Sequence, residues 1–151
     1  MRQTINFLRE WTVNFAKNKD IFLRTIVEVK EMDREIVIIH KHKEHKYFID
    51  PFLENLKNDL KSLKDDSHAS IMCLNTIENF NRLIENWKLL AAYRHLNLVF
   101  VNPFSEMQKF WAIFPYTHDK IADEESLKLG LQTMFEQVEP IDKNRIEKAI
   151  S

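Results

Sequence analysis

A chain of 151 residues is of ordinary domain size, and with 44% apolar and 30% charged residues it has the composition of a folded globular protein. Its single cysteine, Cys73, excludes an internal disulfide framework and a cysteine-based zinc site. Its single glycine, Gly130, excludes the glycine-rich loops that cradle phosphates in Walker and dinucleotide-binding motifs. Net charge is −1, with 13 Lys/Arg against 10 Asp/Glu in residues 1–64 and 9 against 13 in residues 65–151, a mild polarity far short of a dedicated nucleic-acid binder.

Ile5, Leu8, Trp11 and Phe15 recur at helical spacing behind Thr4, predicting a capped amphipathic helix over 4–19. β-Branched runs at 24–30 and 35–40, and a third segment at 46–49, are separated by short polar turns and predict a three-strand antiparallel meander. Asp50-Pro51 reads as a helix start, with Leu53, Leu56, Leu60 and Leu63 as a stripe running to about Lys64 and a polar loop over 65–68. Residues 70–74 are continuously apolar, as in a strand covered on both faces. Asn75 is placed to cap a long helix carrying Ile77, Phe80, Ile84, Trp87 and Leu90, with Glu78 at the capping-box position. With a buried strand at 98–101 this makes a βαβ unit, whose strands should be parallel and its crossover right-handed. Residues 110–114 read as a last strand stopped by Pro115, Asp123 as the cap of a helix carrying Leu127, Leu131, Met134 and Phe135, and 141–150 as a short terminal helix. The expected fold is α/β, a mixed sheet in the order αβββαβαββα flanked by helices, in one globular domain over 1–151. No apolar run approaches the roughly 18 residues that span a bilayer and no secretory leader is apparent, so the expectation is a cytoplasmic protein with no membrane partner.

Several clusters carry candidate chemistry. Asp20, followed by Glu28-Val29-Lys30, is similar to the core motif of the restriction-endonuclease-like nucleases, and the αβββαβ order resembles their fold. The resemblance implies a metal-dependent nuclease. Asp20 and Glu28 would hold a magnesium ion and Lys30 would steady developing charge, all three converging on one acidic pocket. In that family the Glu-x-Lys sits on the third strand, which here reads Lys46-Tyr47-Phe48-Ile49-Asp50 and has none. A solvated strand face is the other reading of Glu28 and Lys30.

His40 and His42 have the spacing of a His-x-His metal pair, but stand among Lys41, Lys43 and Lys46. A solvated hairpin tip, or a phosphate-contacting patch with Tyr47 and Phe48 available for stacking, are the alternatives. Asn75, and Asn102 with Ser105, fall at the carboxyl ends of the expected parallel strands, where ligands gather in open α/β sheets. His118, with Asp119 and Lys120, is the densest group of reactive side chains and is expected in a loop. If 109–114 pairs antiparallel with 98–101, that loop lies at the opposite end of the sheet from Asn75 and Asn102. Cys73 reads as a buried, inert thiol, and Trp11, Trp87 and Trp111 as core.

The leading expectation is a non-catalytic binding or interaction module, with an inactive restriction-endonuclease-like core as one form of it. The alternatives are the metal-dependent nuclease and a small-molecule binder or enzyme centred on His118. No cofactor is expected apart from the magnesium of the nuclease reading. A protein partner or a second copy could pair with edge strands at 23–30 or 109–114, and nucleic acid could meet Lys41, Lys43 and Lys46.

Overall fold

The computed structural model describes residues 2–64 and 66–151; Met1 and Asp65, the latter in the polar loop expected over 65–68, lie outside the described residues. The described chain runs α1 (Arg2–Lys19), β1 (Ile26–Glu31), β2 (Glu35–His40), β3 (Glu44–Ile49), α2 (Leu56–Lys61), β4 (His68–Leu74), α3 (Ile77–Glu85), α4 (Trp87–Ala91), β5 (Leu96–Val101), β6 (Phe110–Ile113), α5 (Pro115–Ile121), α6 (Glu124–Glu136) and α7 (Lys143–Ile150). All six strands form one sheet in the order β1-β2-β3-β4-β5-β6. β1, β2 and β3 make the antiparallel meander; β3, β4 and β5 are parallel; β6 returns antiparallel to β5. The expected mixed α/β class and its βαβ unit are both present, and α2 adds a second parallel crossover between β3 and β4.

Period-2 alternation sorts each strand between two cores. On one face Ile71, Cys73, Leu98, Phe100 and Trp111 pack under α2, α3, α4 and α6 through side chains such as Leu60, Leu83, Leu90 and Phe135. On the other, Ile38, Tyr47, Ile49, Met72 and Val99 pack under α1 through Ile5, Leu8, Val13 and Ala16. The carboxyl-terminal parts of β4 and β5, residues 71–74 and 98–101, are covered on both sides, which explains their unbroken apolar composition. Burial of Cys73 pushes its thiol well above the ordinary range, so it stays protonated and unreactive. On its face α1 lies over the carboxyl-terminal halves of β3–β5 and stops at Lys19, which leaves the amino-terminal ends of those strands open.

Five local expectations are corrected. Thr4 does not cap α1, which already runs from Arg2 with Thr4 buried inside it. Asp50 does not start a helix. Its buried carboxylate accepts the backbone N–H groups of Glu54 (3.0 Å) and Asn55 (2.9 Å), and Leu53 takes a left-handed φ of 50°, so α2 begins only at Leu56. Asn75 is not the cap of α3, nor is Glu78 in its box; Thr76 caps the helix, its hydroxyl accepting from the N–H of Asn79 at 3.0 Å. The long helix is interrupted at Asn86, whose ψ of 16° separates α3 from α4. Residues 115–120 are not a loop: Pro115 ends the strand and also opens α5, where its missing N–H costs nothing.

Candidate functional site

A cleft of about 580 Å³ opens at the uncovered amino-terminal ends of β3, β4 and β5. Each of these strands enters the sheet with a histidine on the α1 face and a second polar residue two positions on: His45 and Tyr47, His68 and Ser70, His95 and Asn97. The parallel register sets His45 beside His68 and Tyr47 beside Ser70, and Ser70 beside Asn97. The His68 and His95 rings stack at 4.3 Å, and His45 lies 6.5 Å from His68. His40 and His42 join from the end of β2 and its turn, so five of the six histidines line one cleft. Lys19 from the last turn of α1 and Lys43 from the β2–β3 turn border it, with Asp20, Thr25, Leu23 and Phe114.

Hydrogen-bond polarity fixes two of the imidazole tautomers. The Thr25 hydroxyl has one proton and donates it to Asp20 Oδ1 at 2.6 Å; His40 Nδ1, 2.8 Å from Thr25 Oγ1, must therefore be the donor to that hydroxyl. The Nε2 lone pair of His40 is left free. Likewise Ser70 Oγ donates to Asn97 Oδ1, so His45 Nε2–H donates to Ser70 at 2.8 Å and His45 Nδ1 keeps its lone pair. Burial, reinforced by Lys19 and Lys43, pushes His45 down to about 3. Burial and Lys43 lower His40, against an opposing pull from Asp20, and burial and the adjacent His95 lower His68. These three rings are neutral at pH 7. Asp20 is held ionised, first by the Thr25 hydroxyl and also by the N–H groups of Ile26 and Thr25, so its charge is absorbed inside the loop. The cleft thus combines two ammonium groups with neutral imidazoles, hydroxyls and an amide.

The residues singled out from sequence are dispersed. Asp20 faces the cleft, whereas Glu28 and Lys30 are exposed on edge strand β1, paired with Ile39 and Val37 on the opposite side of the sheet from His40 and Ile38. The three do not converge. β3 begins at Glu44, two residues before the expected start, so a Glu-x-Lys does stand on the third strand, as Glu44-His45-Lys46. Directly across on β2 stand the apolar Ile39 and Val37, and the same-face carboxylate of Glu35 is taken by Lys46 at 3.3 Å. Lys46 thus lies on the sheet face opposite His45 and Tyr47, while Lys41 and Lys43 sit exposed at the turn. Among the described residues no three His, Cys, Asp or Glu side chains group around a common metal position.

At the carboxyl ends of the parallel strands the candidate asparagines are structural clamps. Asn75 accepts from Trp111 Nε1 (2.8 Å) and donates to the carbonyl of Val138 (2.9 Å), and Asn102 donates to Glu139 O (2.7 Å) and accepts from the N–H of Phe104 (3.1 Å). Ser105 is buried in the turn that follows, its carbonyl taken by Lys109. β6 is antiparallel to β5, so α5 sits at the other end of the sheet. There His118 Nδ1 donates to the carbonyl of Phe114 (3.0 Å), Asp119 accepts from Trp87 Nε1 (2.8 Å), and Lys120 donates to Tyr116 (2.7 Å), so the cluster forms no dyad.

No family model matches the chain, and no curated protein or solved structure matches it.

Proposed function

We propose that this domain is a binding module whose ligand is a small anionic molecule seated in the histidine-lined cleft. The observation that carries the reading is the convergence of His40, His42, His45, His68 and His95 with Lys19 and Lys43; of the acids beside it among the described residues, Asp20 is already tied by three donors and the exposed Asp66 lies 4.0 Å from His95. The volume falls within the range of small-molecule sites, and Leu23 and Phe114 give it an apolar wall. The neutral imidazoles of His40, His45 and His68 offer both donors and acceptors to a phosphate or carboxylate, and the lysines supply the charge. A binding role over metal-dependent hydrolysis is supported by the apolar Ile39 and Val37 directly across from the Glu-x-Lys of β3 and by the pairing of its Lys46 with Glu35.

Thermal unfolding with a panel of phosphomonoesters and small carboxylates tests this reading. At about a hundredfold excess over Kd a ligand should raise Tm by roughly 5–10 °C. Lys43→Ala and Ser70→Ala should each abolish the rise. A rise that both variants keep would place the ligand elsewhere, and no rise with any anion would remove the reading.

A further inference from the structure

At the mouth of the cleft, and independent of what the cleft holds, is a loop that presents three large apolar side chains to solvent. Ile21, Phe22 and Leu23 are 55%, 94% and 74% exposed. Isolated exposed apolar residues are ordinary; three in succession at the tip of a loop are not. The loop is held in this display. The carboxylate of Asp20 accepts the N–H groups of Thr25 (2.9 Å) and Ile26 (2.9 Å), and the N–H of Arg24 closes on the Asp20 carbonyl at 2.8 Å. Arg24 itself adopts a left-handed φ of 51°, a conformation unfavourable for a side-chain-bearing residue, and the apolar tip is turned outward, away from both cores.

The tip has a basic collar. Lys17 and Lys19 stand on the last turn of α1, Arg24 follows the tip, and Lys41 and Lys43 come from the β2–β3 turn. That turn is fastened to the loop by the Lys41 N–H bonded to Thr25 O at 2.9 Å and by the Thr25–His40 bond. All five cations are exposed, and the acids in these two segments are the internally tied Asp20 and Glu44. We propose that the Ile21-Phe22-Leu23 loop and its collar of Lys17, Lys19, Arg24, Lys41 and Lys43 dock the protein peripherally on an anionic lipid bilayer. The apolar tip would enter the acyl boundary, with the lysines reaching headgroup phosphates on flexible stems. A nucleic acid would meet the collar but leave the tip in water, and the tip carries no side-chain hydrogen-bonding group for a polar partner. Leu23, Lys19 and Lys43 also border the cleft, so docking would open the cleft toward the headgroup layer. The expectation of no membrane partner rested on the lack of a spanning segment; no described helix is long and apolar enough to cross a membrane, and peripheral docking needs none.

Co-sedimentation of the full chain with vesicles tests the proposal. Binding is expected to phosphatidylcholine–phosphatidylserine vesicles and not to phosphatidylcholine alone, and should weaken with added salt. Lys41→Ala with Lys43→Ala should weaken it roughly 30-fold, at about 1 kcal/mol per lysine. Phe22→Ser with Leu23→Ser should weaken it by at least about tenfold, since both rings and branches leave the acyl boundary. All four positions are exposed, so an unchanged Tm confirms that these variants fold. Ser70→Ala, deep in the cleft, should remove anion-induced stabilisation and leave vesicle binding intact, which separates this docking from the cleft's ligand. Absence of binding to the acidic vesicles, or binding that the Phe22/Leu23 variant retains in full, overturns the proposal. So does binding of a single-stranded oligonucleotide, without vesicle binding, that depends on the lysines alone.

Discussion

His45 and Ser70, from neighbouring parallel strands, meet at 2.8 Å with the imidazole as donor, because Ser70 has already given its proton to Asn97. One three-residue chain therefore sets the tautomer of the most buried histidine of the cleft. Ser70→Ala leaves the His45 N–H and the Asn97 oxygen without partners. The expected cost is about 2 kcal/mol, read as a shift in the urea midpoint at unchanged m-value. An unchanged midpoint would mean that the chain is not formed in solution.

The depressed His45 implies a definite pH dependence. Its folded value of about 3 lies below the unfolded 6.5, so between them the unfolded state takes up a proton that the native state refuses. Stability should fall as pH falls through this window, by up to about 1.4 kcal/mol per unit. The lowered His40 and His68 act in the same direction. Denaturation of wild type and His45→Gln isolates the contribution: the wild-type curve should fall more steeply than the variant's between pH 6.5 and about 3 and run parallel to it at higher pH, and equal slopes throughout the window would contradict it.

Asp59 has the opposite sign. Burial, and then Asp50, raise its carboxyl to about 7, so the native state retains a proton that the unfolded chain loses above 3.8. Its contribution declines as pH rises from about 4 to 7. Asp59→Asn should stabilise the protein near pH 8 by about 1 kcal/mol, after allowance for solvent screening, and leave it unchanged near pH 4. A destabilised variant at the higher pH would contradict this sign.

Asn75 holds the return of the chain after α6. It accepts from Trp111 Nε1 and donates to Val138 O, while its carbonyl receives the N–H of Ile141 at 3.0 Å. Asn75→Ala should cost about 2–4 kcal/mol by orphaning buried polar groups. In a double-mutant cycle with Trp111→Phe the losses should be strongly non-additive. Additive losses would show that the two side chains act separately.

The framework of the fold was legible in the sequence because its signals are local: the Ile/Val runs of the meander, the leucines at 53, 56, 60 and 63, the cap at Asp123, and the unbroken apolar cores of β4 and β5. What the sequence reading missed was the cleft, and the cause is a boundary effect. All three parallel strands begin two residues before their apolar runs suggest, at Glu44, His68 and Leu96. Their first polar residues therefore look like turn residues. The signal is nonetheless written three times, as His45-Lys46-Tyr47, His68-Ala69-Ser70 and His95-Leu96-Asn97, each placing a histidine and a second polar group on one strand face. Only the parallel register brings the three together, and register is a tertiary property. The same effect hid the Glu-x-Lys of β3. Asn75 and Asn102 attracted notice at the conventional ligand end of the sheet, but their side chains are consumed in fastening the segment after α6, which no local pattern announces.

The most direct test of the central claim is side-chain NMR of the histidines during titration with phenyl phosphate. The imidazole resonances of His40, His45, His68 and His95 should shift together along one binding curve, while His118, outside the cleft and bonded to Phe114 O, stays still. Shifts confined to His118, or none at all across the cleft histidines, would contradict an anion site at the amino-terminal ends of β3, β4 and β5.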